Sequence, residues 1–248
     1  MFVLVWQEAE RQLQLHSYKL KNMRDVLLRF LAFALGRGIF LFAELITAVR
    51  GVWAGAEPVN VQRIYYANHT SHGDFVLIWT VLPSRLRQRT RPVAGSDYWL
   101  KNSLRKFIGC NVFNAVLIER NAQQRTDNPI AQIGEALEAG DSLILFPEGT
   151  RNTTDEKLLP FKSGLFNLAR QWPSVELVPV WIDNLNQVMP KGEFVPVPLI
   201  CTVTFGAPLE IPLENKNEFL QKATNALLAL APSAAAGHLS NTPVTPDS

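Results

Sequence analysis

The chain is predicted to fold as an α/β domain: a central mixed, largely parallel sheet flanked by helices, preceded by an amphipathic, membrane-associating helix. Three observations predict this. From about Val59 onward, short apolar runs alternate with helical segments, the pattern of strands covered by crossover helices. Ahead of that region lies an apolar stretch whose length is near that of a bilayer span. Apolar residues make up 47% of the 248 residues, enough for a packed core with surplus for a membrane-facing surface.

Val26 to Val49 is the strongest helical candidate, interrupted by Arg29, Arg37 and Glu44. At 100° per residue these three fall within about 80° of one another, leaving the rest of the circumference apolar. Such a layout suits a helix in the bilayer interface, or one with its polar stripe against protein, better than a lone spanning helix. An amphipathic core helix is the plainer alternative. Lys19, Lys21 and Arg24 would sit at the headgroups on the cytoplasmic side.

The expected strands are 63–67, 91–95, 115–118, 143–146, 177–182 (with a Pro kink) and 199–205. The expected helices are 75–82, 98–108, 129–139, 163–171 and 216–230. Asp127 or Asn128 can cap the helix at Pro129, with Gly140 at its end. From Pro232 the tail is rich in Ala, Ser, Thr and Pro without apolar period, so disorder is expected there. The organisation read this way is a membrane-associating segment (1–56), a catalytic-size domain (57–231) and a tail (232–248).

Lys plus Arg (24) barely exceeds Asp plus Glu (22), so net charge gives no argument for nucleic acid. Arg85, Arg87, Arg89 and Arg91 alternate, and Lys101, Arg105 and Lys106 follow, a solvated face that would also attract anionic headgroups. Cys110 and Cys201 are too few for a disulfide framework and lack metal-ligand spacing, which points to a reducing compartment. No basic region precedes the first apolar residues, so no cleavable signal peptide is read.

The chemistry concentrates in two stretches. In Asn68-His69-Thr70-Ser71-His72-Gly73-Asp74, a carboxylate follows an imidazole by five residues. On a regular helix the two would point about 140° apart. A pair can form if His69 lies on a strand-to-helix loop and Asp74 in the first helical turn. Ser71 to Asp74 matches a capping box, with Ser71 as N-cap and Asp74 at N3. Asp74 could then be only a capping residue. An imidazole can also accept an alcohol proton near neutral pH, and a carboxylate on its other nitrogen fixes the tautomer. The nucleophile would be the substrate's own hydroxyl.

The second stretch, Phe146-Pro147-Glu148-Gly149-Thr150-Arg151, follows an apolar run. Pro147 ends the ladder, Gly149 permits tight backbone, and Arg151 can present a planar fork to a phosphate. Glu148 could hold Arg151 or bond substrate hydroxyls; a plain loop with a surface ion pair is the alternative. Leu117-Ile118-Glu119-Arg120 is another apolar run ending in an acid and an Arg. Lys162-Ser163-Gly164 opens a helix whose first amides could favour an anion, or serve only as a helix start.

In this order, the segments Asn-His-x4-Asp, acid-Arg, Phe-Pro-Glu-Gly-Thr-Arg and Val178-Pro179-Val180 resemble the glycerolipid acyltransferase family, which includes bacterial 1-acyl-glycerol-3-phosphate acyltransferases. The resemblance implies that His69 is the general base and Asp74 its orienting partner. Arg120 and Arg151 would contact an acceptor phosphate, with Glu148, Gly149 and Thr150 shaping that pocket. It further implies an acyl thioester on coenzyme A or acyl carrier protein as co-substrate, no cofactor or metal, and attachment to one leaflet, at the cytoplasmic face of the inner membrane. Three positions depart from the family: Asn114 where Gly is usual, Leu117 where Phe is common, and Asn152 where Ser often stands. The expected reaction is acylation of a lysophospholipid hydroxyl, foremost that of 1-acyl-sn-glycerol-3-phosphate. The alternatives are another lyso-lipid acceptor, a hydrolase using a serine such as Ser71, or a non-catalytic lipid-binding protein. The absence of a Gly-x-Ser-x-Gly elbow opposes the hydrolase.

Overall fold

Seven strands form one sheet in the order β1-β7-β6-β2-β5-β3-β4. The computed structural model describes residues 2–71, 73–120, 128–183, 201–210 and 214–232, with side chains from residue 21 on except at 22, 46 and 47. The strands are β1 (Arg50–Ala54), β2 (Arg63–Ala67), β3 (Thr90–Gly95), β4 (Val116–Ile118), β5 (Ser142–Leu145), β6 (Glu176–Asp183) and β7 (Thr202–Gly206). Neighbours from β6 to β4 run parallel, β7 is antiparallel to β6, and β1 is parallel to β7. The sheet is therefore mixed and largely parallel, as expected.

The period of two explains the two-sided core. Along β2, Ile64 and Tyr66 face one layer while Tyr65 and Ala67 face the other, and all four are buried. One layer holds α6 (Pro129–Glu138), α7 (Gly164–Gln171) and α8 (Lys216–Leu228), which bury Ile133, Leu165, Leu168, Phe219 and Leu227. The opposite layer holds α2 (Asp74–Val81), with Phe75, Leu77 and Ile78 against Tyr65, Val178 and Phe205. Asn128 caps α6, its side chain accepting from the Ile130 amide at 3.0 Å; Asp127 lies outside the described residues.

The first helix, α1 (Phe2–Thr47), is longer than the apolar stretch suggested. Its Met23–Leu45 portion is long and apolar enough to cross a membrane and is mostly exposed. It meets the domain through its small residues: Ala32, Gly36 and Ala43 are buried, and a side chain on Gly36 would press on Val112 at 3.2 Å.

Several expectations change in detail. The strand β1 was not foreseen; it pairs with β7, and Trp53 stacks on Phe205 at 4.1 Å. It lies inside the span 1–56, so the sheet starts before residue 57. The single helix over 98–108 is instead α4 (Ser96–Trp99), α5 (Ser103–Phe107) and a π-turn over Ile108–Val112. Asn102 breaks it, its side chain capping the Arg105 amide at 2.8 Å. A short α3 (Ser84–Arg87) follows Pro83. β6 runs through Pro179, because the ladder with β7 begins only at Val180, so the missing donor interrupts nothing. The expected strand 199–205 is seen as β7, with residues 199 and 200 outside the described residues. The expected tail, from residue 233 on, also lies outside the described residues.

Candidate active site

Because β2, β5, β3 and β4 are parallel neighbours, their C-terminal ends share one edge of the sheet, where ligands bind in open α/β folds. Each motif follows one of these ends: His69 follows β2, Phe146–Arg151 follows β5, and Arg120 follows β4. Topology thus brings together segments far apart in sequence.

His69 Nδ1 is 2.8 Å from Asp74 Oδ2. That oxygen also accepts the amides of Thr70 (2.7 Å) and Ser71 (2.9 Å), while the carboxylate is fully buried. Asp74 Oδ1 is buried with no partner among the described residues. The expected capping box is corrected here. Gly73 is the N-cap, Asp74 is the first helical residue, and Ser71 Oγ accepts only the Gly73 amide at 3.3 Å. At that position the carboxylate folds back over the loop and meets the imidazole. His72 lies outside the described residues.

The imidazole is held from three further sides. Its ring stacks on Phe146, with centroids 4.2 Å apart and planes 19° apart. Its backbone amide donates to Glu148 Oε1 at 2.7 Å, and its carbonyl accepts from the Asn152 amide at 2.6 Å. Nε2 has no partner among the described residues, and His69 lines a cavity of about 250 Å³. Asn68 fixes the same loop from behind, exchanging bonds of 2.8 and 2.9 Å with the backbone of Ile182 in β6.

The other candidates divide. Arg120, Gly149, Thr150 and Arg151 line the cavity with His69. Glu148 does not: it is buried, and its carboxylate bridges the amides of His69 and Leu159 (2.8 Å) instead of meeting Arg151 or the cavity. Burial pushes its acid up from the ordinary range, against the downward pull of those two amides. It ties the β5 loop to the loop that carries His69. Gly149 has φ 69°, in the left-handed region that glycine occupies without strain.

Arg120 is not a lone guanidinium. Asp97 holds it, with Nε–Oδ1 at 3.1 Å and Nη2–Oδ2 at 2.8 Å, and the bond keeps the Asp97 acid below its usual range. Gly95 makes room for this pair, since a Cβ there would fall 2.4 Å from Arg120 Nε. Neither Asp97 nor the flanking Tyr98 and Trp99, which also line the cavity, carried a motif. Lys162, read from the sequence only as part of a helix start, lays its side chain across the face of Gly149. It lines a second cavity of about 400 Å³ that shares Ile118, Arg120, Leu145, Phe146 and Gly149 with the first. Ile130, Ile133, Leu165 and Leu168 make the far wall of that cavity apolar.

Two of the three departures from the resembled family have structural reasons. Asn114 has φ 48°, a left-handed conformation that Asn tolerates better than most residues. Asn152 is buried and organises its loop, donating to Glu156 O at 2.6 Å and accepting from Thr154. Leu117 is half-buried in β4, and nothing around it explains the change. Among the described residues no three His, Cys, Asp or Glu are grouped to hold a metal ion.

A family model described as Acyltransferase matches residues 54–183. The chain is 32% identical over 168 residues to a 1-acyl-sn-glycerol-3-phosphate acyltransferase of Limnanthes douglasii, covering 62% of this chain and 53% of that one. With the enzyme of that name from Cocos nucifera it shares 29% over 163 residues, covering 63% and 48%. With that of Salmonella typhimurium it shares 31% over 130 residues, covering 50% and 47%. The chain thus spans about half the length of the curated relatives it matches. Among solved structures, the 1-acyl-sn-glycerophosphate (LPA) acyltransferase PlsC of Thermotoga maritima superposes with a TM-score of 0.61 over 83% of this chain and 80% of that one. At 22% identity this is a likeness of fold. The match over 54–183 takes in more than half of the chain and every residue of the His69 cavity, so this chain belongs to the Acyltransferase family.

Proposed function

We propose that the chain transfers a fatty acyl group from acyl-CoA or acyl carrier protein to the free hydroxyl of 1-acyl-sn-glycerol-3-phosphate, giving phosphatidic acid. The observation that carries this reading is the His69–Asp74 pair, its carboxylate buried and its ring edging a cavity also lined by Arg120 and Arg151. The names of the relatives point to the same acceptor.

In this mechanism Nε2 takes the hydroxyl proton while the oxygen attacks the thioester carbonyl. The C–O bond forms as the C–S bond breaks, and the imidazolium returns the proton to the leaving thiolate. Asp74 stabilises the imidazolium and fixes Nδ1 as the donor nitrogen. Arg151 and Arg120 hold the acceptor phosphate, with Gly149 and Thr150 forming the floor. The apolar end of the second cavity offers space to an acyl chain. No step requires a metal or other cofactor, since side chains supply the base and the anion site. Ser71 is outside the cavity lining, which weighs against a serine hydrolase.

Attachment to the cytoplasmic leaflet through α1 belongs to the same reading, supported by its exposed apolar surface (Val26, Leu27, Phe30, Leu41, Phe42 and Leu45) and by Lys21 and Arg24. The test is thiol release by the full chain in vesicles, against a panel of lyso-acceptors with both donor carriers. Lysophosphatidate should be the preferred acceptor, and His69→Ala should abolish turnover. Equal rates on non-phosphorylated acceptors, or undiminished rates in His69→Ala, would overturn the proposal.

A further inference from the structure

A second cavity system lies away from the His69 site, in a groove of about 550 Å³ between α1 and the domain. Arg29 and Arg37 line it from α1, and Arg87 from the end of α3. Arg29 and Arg37 are about two turns apart on α1, so both reach one rim of the groove while staying open to solvent. Between them the wall is apolar and aromatic, with Phe33, Phe40 and Trp79.

This positive charge is not locked in ion pairs. Among the described residues no carboxylate is within ion-pair distance of Arg29, Arg37 or Arg87. Arg87 is fixed in place: Nη2 donates to the carbonyls of Thr80 (3.1 Å) and Leu82 (2.9 Å) at the end of α2. Its guanidinium also lies over Phe40 (4.4 Å) and Trp79 (4.9 Å), and Arg37 shares the Phe40 ring at 5.1 Å. Burial and the neighbouring Arg37 charge both act against the Arg87 cation, with Glu44 the opposing influence. Like-charged groups crowded against an apolar wall call for an anion, and arginines on an otherwise apolar membrane-length helix are costly without one.

We propose that this groove binds one acidic glycerophospholipid from the surrounding leaflet, its phosphate among Arg29, Arg37 and Arg87 and an acyl chain along Phe33, Phe40 and Trp79. A lipid fits better than a free phosphate because the groove couples a cationic rim to an aromatic wall, and because the exposed apolar face of α1 continues from it. Bound there, the lipid joins α1 to the domain and neutralises the repulsion between Arg37 and Arg87. The inference does not depend on which acceptor is acylated at His69.

The test uses the full chain in neutral detergent, mixed with phosphatidylglycerol or phosphatidylcholine and followed by native mass spectrometry. Wild type should retain one phosphatidylglycerol and at least several-fold less phosphatidylcholine. Arg29→Gln/Arg37→Gln should lose that adduct about tenfold, while Arg29→Lys/Arg37→Lys, which keeps the charge, should retain most of it. Lys21→Gln/Arg24→Gln removes the same charge from the same helix outside the groove and should leave the adduct intact. Arg151→Ala should also leave it, separating the groove from the His69 cavity. Equal retention of both lipids, equal losses in the two glutamine pairs, loss in Arg151→Ala, or displacement by inorganic phosphate alone would overturn the proposal.

Discussion

Replacing Asp74 with Asn keeps shape and removes charge at one buried atom. Asp74 Oδ2 accepts from His69 Nδ1, Thr70 N and Ser71 N at 2.7–2.9 Å. Hydrogen bonds to a charged acceptor contribute roughly 1.5–3 kcal/mol, against roughly 0.5–1.5 for a neutral one. The amide nitrogen would take the place of Oδ1, a buried position with no hydrogen-bond partner among the described residues, and leaving its donors unpaired there costs about 1–3 kcal/mol. Easier burial of a neutral side chain offsets part of this. A net loss of about 2–4 kcal/mol is expected, within the range of buried polar substitutions. Turnover should suffer more, because the carboxylate matters most when the imidazole becomes cationic. The loss in kcat should be roughly 10²–10⁴-fold, the scale of general-base catalysis. Acceptor KM should change little, since Asp74 does not line the cavity. Because the pair acts as a unit, His69→Ala/Asp74→Asn should be hardly slower than His69→Ala alone. Thiol release under saturating substrates, with thermal unfolding of each variant, measures both effects. A folded Asp74→Asn enzyme within a few-fold of wild-type kcat would refute the role given to this carboxylate.

Arg151→Ala should raise the apparent KM for a phosphorylated acceptor with little effect on kcat, read from acceptor titrations; unchanged acceptor kinetics would remove Arg151 from the phosphate site. Asp97→Ala should raise the same KM by up to about fivefold, the scale of an exposed ion pair, because Asp97 positions Arg120; a lowered KM would show competition instead. Folding lowers the Asp97 acid, so the unfolded chain binds more protons in the window below the ordinary carboxylate value. The pair therefore supports the fold above that value and ceases to do so as pH falls through the folded one, so loss of turnover at weakly acidic pH should be the same in Asp97→Ala and wild type. Burial pushes the Cys201 thiol up to about 11, whereas Cys110 is exposed. Alkylation at mildly alkaline pH, followed by peptide mass spectrometry, should label Cys110 and reach Cys201 only on unfolding.

The sequence by itself determined the elements whose period and punctuation are local. The strands 63–67 and 177–182 announce themselves through continuous apolar runs that need both faces covered, and β2 and β6 lie at the centre of the sheet. Asn128-Pro129 marks the start of α6 because an N-cap acceptor and a fixed φ act within one turn. His69 and Asp74 were legible as a pair because a loop and one helical turn suffice to close five residues. Tertiary structure decided what depends on partners distant in the chain. β1 has no pattern of its own and exists because β7 offers it a ladder. Glu148 sits in the most specific motif, yet its carboxylate serves the His69 and Leu159 amides, because the sheet order sets β5 beside β2. Asp97 reaches Arg120 only because β3 and β4 pair in parallel, and the three arginines of the groove converge only once α1 docks on the domain. A hydrogen bond or an ion pair senses a few ångströms of space, and sequence separation alone does not carry that distance.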